Sequence, residues 1–184
     1  MEALFQTLDD PNVLIQKDAI HSLVNLSSDD VFNHITLQQY NIIPTLIRCI
    51  TVARSPFADK ASSILSNMTR NETAAKAVFE KIEKQLDLLL GIYTKIDYNT
   101  ADEKQHMDYL GQVFANMTQC KLGRTFILNR DHLRIQKLIP FINHESITRR
   151  GSTCIMLKNI CFDSEVNSWL LGASVDLLPT LLKV

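Results

Sequence analysis

The chain has 184 residues, 46% of them hydrophobic, with 19 Lys and Arg against 20 Asp and Glu. That length and hydrophobicity suit one domain with a substantial core and exclude a disordered chain. The balanced charge lacks the basic excess of a nucleic-acid binder, and no apolar run approaches the ~20 residues of a membrane span, so neither nucleic acid nor membrane is an expected partner.

Only five Gly and five Pro interrupt the chain, and most segments carry helical rather than alternating periodicity, so the expected class is all-α. MEALFQTL (1–8) reads as one helix, and MEALFQTLDDPN has no basic region followed by an apolar stretch, so no secretory signal is expected. Asp10-Pro11 reads as a cap followed by a first helical residue, opening the helix that carries SLVNLSS (22–28). DVFNHI (30–35), capped by Ser28, is a short helix, and NIIPTLIRCI (41–50) is a helix started by Pro44. Ser55-Pro56 opens the next helix, which carries ILSNMTR (64–70). The order then recurs. AAKAVFEKI (74–82) and KQLDLLLGIY (84–93) precede VFANMTQ (113–119), after a polar insertion DYNTADEKQ (97–105). GRTFIL (123–128) and IQKLIPFI (135–142) precede MLKNICF (156–162), and VNSWLLG (166–172), capped by Asp163, precedes VDLLPTLLKV (175–184).

These segments align on Asn25, Asn67, Asn116 and Asn159, which stand 42, 49 and 43 residues apart. Two positions before each asparagine stands Leu23, Leu65, Phe114 or Leu157; one after stands Leu26, Met68, Met117 or Ile160; six before stands Ala19, Ala61, Leu110 or Thr153. Those offsets share one helical face, so each asparagine lies beside a buried stripe. The period matches the ~40–47 residues of armadillo and HEAT repeats, and three helices per repeat select the armadillo type. The expected fold is an all-α, armadillo-type right-handed α-solenoid of about four three-helix repeats in one domain, 1–184. Its repeats are 1–28, 29–71, 72–120, 121–163 and a partial 164–184. Because solenoids need polar terminal caps, the chain is expected to be a fragment truncated at both ends.

Asn25-Leu26-Ser27, Asn67-Met68-Thr69, Asn71-Glu72-Thr73 and Asn116-Met117-Thr118 fit the N-glycosylation acceptor pattern. The fourth repeat keeps Asn159 without that pattern, so the sequon reads as incidental to a repeating asparagine. Cys49, Cys120, Cys154 and Cys161 lack zinc spacing. Cys154 and Cys161, about 10.5 Å apart along one helix, are too distant for a disulfide. All four read as reduced, mostly buried thiols of a cytosolic or nuclear protein.

Stacked third helices line the concave surface of a solenoid. Candidate partner-binding residues are therefore Asn25, Asn67, Asn116 and Asn159; His21, Ser63 and Gln112 four positions earlier; and Asp18, Lys60 and Tyr109 seven earlier. Ile155 and Ser152 hold those places in the fourth repeat. A ladder of carboxamides can hold an extended peptide backbone; the alternative is a structural role, each asparagine bonding the turn that follows its helix. No Trp stands four before an asparagine, and the single Trp169 lies in a first helix, which argues against a nuclear-import-signal receptor. Arg149, Arg150 and Lys158 read as a basic spot or a solvated helix end. Trp169, Leu170 and Leu171 read as core, the alternative being an exposed anchor, and Gly111 and Gly151 as points of close helix packing. His21, His34, His106, His132 and His144 are scattered without metal-ligand spacing, and there is no Gly-rich phosphate loop or recognised nucleophile context. The carboxylates of ADEK (101–104) and SSDD (27–30) read as solvated caps. No catalysis, metal or cofactor is expected.

ASSILSNMTRNE, YLGQVFANMTQCKLGRTFIL, RRGSTCIMLKNICFDSEVNSWLLG and VDLLPTLL together resemble the eukaryotic Hgh-one family over nearly the whole chain, the last two stretches being the most specific. The resemblance implies a cytoplasmic armadillo co-chaperone or adaptor whose client is translation elongation factor 2. It further implies that the client is brought together with the cytosolic chaperonin and a heat-shock chaperone. Members of the family usually carry further repeats on both sides. The alternative is a general armadillo scaffold for another client, in signalling or transport.

Overall fold

The structure, a computed structural model, describes residues 2–95 and 107–182, except the side chain of Lys95; the polar insertion at 97–105 lies outside the described residues. The described residues form helices in the expected order. Helix α1 (Glu2–Gln6) runs on into a 3-10 turn and precedes α2 (Val13–Leu26). A triplet follows: α3 (Asp30–Gln39), α4 (Ile43–Thr51) and α5 (Ala58–Met68). The next is α6 (Glu72–Ile82), α7 (Leu86–Lys95) and α8 (Asp108–Met117). The fourth repeat is α9 (Lys121–Ile127), α10 (Arg134–Leu138) with its 3-10 continuation to Asn143, and α11 (Ile147–Cys161). A fifth begins with α12 (Asn167–Leu171) and α13 (Leu177–Leu182). Like packs on like: α3, α6 and α9 stack as first helices, α4 and α7 as second, and α2, α5, α8 and α11 as third. This is an all-α solenoid of three-helix repeats.

The helix starts differ from expectation in ways that follow from capping chemistry. Asp10 and Pro11 lie before α2: Asp10 Oδ1 accepts from the Asn12 N–H, and Asn12 itself caps α2 by accepting from the Leu14 N–H at 2.9 Å. Ser55 and Pro56 likewise form the turn before α5, whose cap position is Phe57. Asp29, not Ser28, caps α3, taking the Val31 and Phe32 N–H groups. Asp163 caps nothing with its side chain, because its carboxylate accepts from Arg124 Nε at 2.8 Å. Pro44 and Pro179 do sit in first turns, where a missing N–H costs nothing. Pro140 instead stands at the switch of the second helix into 3-10 geometry.

The stripe at offsets −6 and −2 is buried in every repeat, and Met68, Met117 and Ile160 at +1 are buried with it. Leu26 is the exception at 41% exposed, since α2, unlike α5 and α8, has no first helix of its own repeat against it. Leu170 is buried and Trp169 half-buried under Arg130, but Leu171 is exposed. Gly111 is a close-packing glycine, because a Cβ there would stand 2.6 Å from Tyr93 Oη. Gly151 is not, having open space around it, whereas a Cβ on Gly123 would collide with the Met117 carbonyl. Only Cys120 is a buried thiol; Cys49 is half-buried, and Cys154 and Cys161 are exposed, so the expectation of mostly buried cysteines fails.

Arg149 overturns both surface readings of the basic spot, because it is fully buried. Its Nε donates to Asp108 Oδ1 at 2.6 Å and its Nη1 to the Tyr93 carbonyl at 2.9 Å, with the guanidinium 4.5 Å from the Tyr93 ring centroid. Ser146, the N-cap of α11, donates to the other Asp108 oxygen at 2.6 Å. A charge is tolerated here because carboxylate, carbonyl and ring face take the place of water. Arg134, also buried, repeats the arrangement: it grips Asp87 at 2.7 and 2.8 Å, donates to the Phe126 carbonyl and lies 3.9 Å from the Phe126 ring centroid. The Arg134 hydrogen bonds hold the Asp87 carboxyl below the usual carboxylate range. Both arginines tie the fourth repeat to the third. Arg150 donates to the His144 carbonyl, and Lys158 is exposed.

His144 carries a pH dependence. Its Nδ1 accepts from the Ser146 N–H at 2.9 Å. Burial first, then the Arg149 charge, lowers its pKa, against the opposing pull of Asp108 and Glu145. The unfolded chain therefore binds this proton more readily than the folded one, and stability falls as pH drops through the ordinary histidine range toward the lower folded value. His144→Gln, which keeps an acceptor and cannot titrate, is expected to flatten the decline of melting temperature between about pH 7 and 5. Thermal melts of both chains over that series check it, and parallel declines would refute it.

Candidate functional site

Three of the third helices, α2, α5 and α8, carry the asparagine near their end and, two residues on, a hydroxyl, Ser27, Thr69 and Thr118, all fully buried; α11 has Cys161 in that place. The hydroxyls donate back to their own helix, Ser27 to the Val24 carbonyl, Thr69 to Leu65 and Thr118 to Ala115. A hydroxyl still has lone pairs to offer, and the next repeat uses them. Asn67 Nδ2 donates to Ser27 Oγ at 2.8 Å, Asn116 Nδ2 to Thr69 Oγ1 at 3.2 Å, and Asn159 Nδ2 to Thr118 Oγ1 at 3.0 Å. Asn116 and Asn159 also reach the Ser66 and Ala115 carbonyls. Beside this rail runs a second, in which Arg70 donates to the Ser28 carbonyl and Gln119 to the Arg70 carbonyl. The amide nitrogens of Asn67, Asn116 and Asn159 bond the preceding repeat, and Asn67 also bonds the turn after its own helix through Arg70. The serine or threonine of the acceptor pattern is the partner of the asparagine one repeat later.

The relay predicts a measurable coupling. Asn116→Ala and Thr69→Val are each expected to cost about 1–2 kcal/mol, with a coupling of about 0.5–1.5 kcal/mol in the double mutant. Urea unfolding of the four chains gives the cycle, and strict additivity would sink the relay.

The relay uses only the donor half of each amide. Among the described residues, no bond reaches the carboxamide oxygens of Asn116 and Asn159, while Asn67 Oδ1 accepts from Arg70 at 2.7 Å. Around this line Asp18, His21 and Asn25 are exposed, Tyr109 is 37% exposed, and Lys60, Ser63 and Gln112 are half-buried. Gln112 and Asn116 of α8 converge on Ser66 of α5, Gln112 Oε1 accepting from Ser66 Oγ at 3.1 Å. Asn25 stands apart, since α2 has no third helix before it. Ser152 is buried and leaves the surface, whereas Ile155 stays on it at 46% exposed. Sequence reasoning missed Asn33 of α3, buried at 4%, whose Nδ2 donates to the Ser27 and Asn67 carbonyls. No repeat signal marks it, but the hydroxyl partners were legible in the sequons.

Elsewhere a cavity of about 380 Å3 lies between Leu8, Val13, Cys49 and Phe57, rimmed by the Arg48–Asp9 ion pair. Burial pushes the Cys49 thiol up, away from the reactive thiolate. No group of three His, Cys, Asp or Glu among the described residues is placed to hold a metal, and no described helix is long and apolar enough to cross a membrane.

Residues 49–184 match the family model described as "Domain of unknown function (DUF383)". The chain is 37% identical over 99% of its length to "Protein HGH1 homolog" of Danio rerio and covers 48% of that protein. To the Drosophila melanogaster protein of the same name it is 33% identical over 98% of the chain, covering 52% of that relative. To the Homo sapiens one it is 30% identical over 90%, covering 44%. The chain thus spans about half the length of the curated relatives it matches. Two engineered proteins solved by the Northeast Structural Genomics Consortium share the fold. One has a TM-score of 0.75 at 18% identity, with 99% of this chain and 42% of that one covered; the other has 0.74 at 17%, with 99% and 72% covered.

Proposed function

Because the chain belongs to the DUF383 family of HGH1 homologues, we propose that it is a non-enzymatic, cytoplasmic interaction solenoid. In this reading it acts as co-chaperone or adaptor in the folding of translation elongation factor 2, together with the cytosolic chaperonin and a heat-shock chaperone. The supporting observation is the line of third helices, where the relay fixes the repeats while, among the described residues, no bond reaches the oxygens of Asn116 and Asn159, with His21 and Tyr109 exposed and Lys60 half-buried nearby. Such a surface suits an extended client segment: fixed acceptors take backbone N–H groups while neighbouring side chains read the sequence. The choice of client is supported by the family resemblance alone.

Asn67 and Asn116 are poor choices for testing the surface, because their amides hold the repeats together. His21→Glu, Lys60→Glu and Tyr109→Ala in one chain are the suitable probe. The expected result is a melting temperature within a few degrees of wild type and a capture of elongation factor 2 reduced about tenfold or more in pull-down. Undiminished capture by this chain would remove the concave face from the proposal. Failure of the unaltered chain to capture that factor, with another protein taken up through the same residues, would favour the general scaffold.

A further inference from the structure

The nitrogen that would carry a sugar is the nitrogen that joins the repeats. Asn67-Met68-Thr69 and Asn116-Met117-Thr118 fit the N-glycosylation acceptor pattern, and both lie inside the stack, with a third helix before and after each. Asn116 Nδ2 donates to the Ser66 carbonyl at 3.0 Å and to Thr69 Oγ1 at 3.2 Å, which takes both hydrogens of its amide. Asn67 is engaged at both ends of its amide: Nδ2 donates to Ser27 Oγ at 2.8 Å, and Oδ1 accepts from Arg70 at 2.7 Å. Ser27, Ser66 and Thr69 are buried, so an acceptor that loses its donor here gains no water in exchange. Asn71-Glu72-Thr73 is the contrast. Asn71 and Thr73 are exposed, the Asn71 Oδ1 caps α6 by accepting from the Ala74 N–H at 2.9 Å, and among the described residues its nitrogen makes no bond. A sugar on that nitrogen leaves the cap intact.

N-glycosylation joins the asparagine nitrogen to the anomeric carbon of a sugar activated by a phosphate-ester leaving group. The N–C1 bond forms, the C1–O bond to phosphate breaks, the phosphate-bearing group leaves, and one amide hydrogen departs as a proton. At Asn116 that hydrogen is one of the two that hold α8 on α5, and the sugar ring would stand between two helices in contact. The folded chain in turn withholds the acceptor. A glycosyltransferase reads the hydroxyl of an extended tripeptide, whereas Thr69 and Thr118 are fully buried at helix ends and donate to the Leu65 and Ala115 carbonyls. We propose that Asn67 and Asn116 are glycosylation acceptors of the unfolded chain, and that sugar transfer and repeat stacking exclude one another at these two residues. The solenoid then forms only where the chain is made away from N-glycosyl transfer, a condition the cytoplasm meets. The inference rests on the relay and holds whichever client the third helices take.

Cell-free synthesis of the whole chain with a soluble bacterial N-glycosyltransferase, with or without UDP-glucose, tests it. Soluble, trypsin-resistant chain is separated from aggregate, and added hexose is located by peptide mass spectrometry. Without UDP-glucose the chain is expected in the soluble, resistant fraction. With it, Asn71 should carry hexose in both fractions, while hexose on Asn67 and Asn116 should be enriched about tenfold or more in the aggregate relative to that on Asn71. Folded chain given the enzyme and UDP-glucose after synthesis should take hexose on Asn71 and not on Asn67 or Asn116. Three results would each overturn the proposal: hexose on Asn116 in the resistant fraction at the Asn71 ratio, no hexose on Asn67 or Asn116 in either fraction, or transfer to Asn116 of the folded chain.

Discussion

Arg149→Ala is expected to destabilise the fold by about 3–5 kcal/mol, the cost of breaking a buried pair and leaving its partner uncompensated. Asp108 would keep only the Ser146 hydroxyl, the Tyr93 carbonyl would lose its donor, and the ring faces of Tyr93 and Phe141 would meet a void. The direction reverses if both charges go together: Arg149→Met with Asp108→Leu is expected to recover more than half of the loss, because an apolar pair of similar volume has no ion to desolvate. Urea unfolding of the two variants checks both statements. A loss below about 1 kcal/mol for Arg149→Ala would mean that water reaches the guanidinium, contrary to its burial.

Leu65→Ala is the second large effect, expected at about 2–5 kcal/mol, from lost transfer energy plus the cavity left behind. Leu65 has no exposed surface and lies at the −2 position of α5, in the middle of the stacked third helices. Neighbouring helices pack on both sides, which limits how far the void can collapse and favours the upper part of the range. Leu26→Ala makes the internal comparison. It alters a stripe residue of the same type, but one that is 41% exposed, and should cost under about 1 kcal/mol. Equal losses at the two sites would contradict the burial pattern.

The repeat was legible because its signal is periodic and local. Apolar positions at −6 and −2 of each asparagine need only the helical pitch to share a face, and all four repeats bury them. The order of three helices followed from the same alignment. Contacts between repeats were not legible. Asp108 and Arg149 are 41 residues apart in the chain, and nothing in the local sequence of RRG separates a solvated arginine from a buried one. Pro11, Pro56 and Pro140 misled for a related reason: a proline suits a first turn, yet the competing Asx turn at Asn12 and the 3-10 segment at Ile139 decide where the helices begin. At the candidate site the asparagines could be aligned from the sequence, but their bonds could not, since their donors point across to the repeat before them. Ser27, Thr69 and Thr118, which receive those donors, stood in the sequons all along, where a glycosylation pattern is the more familiar reading.

The asparagine relay also has a direction. In every rung the donor belongs to the later repeat and the acceptor to the earlier one, and Arg149 and Arg134 reach back in the same sense. A chain leaving the ribosome N-terminus first thus exposes acceptors before their donors have been translated. Ser27, Thr69 and Thr118 each bond their own helix already, so each completed repeat is a finished template that waits for the next. Assembly can proceed vectorially, one repeat per some forty codons, with no residue required to anticipate a partner downstream in order to hold its own helix end.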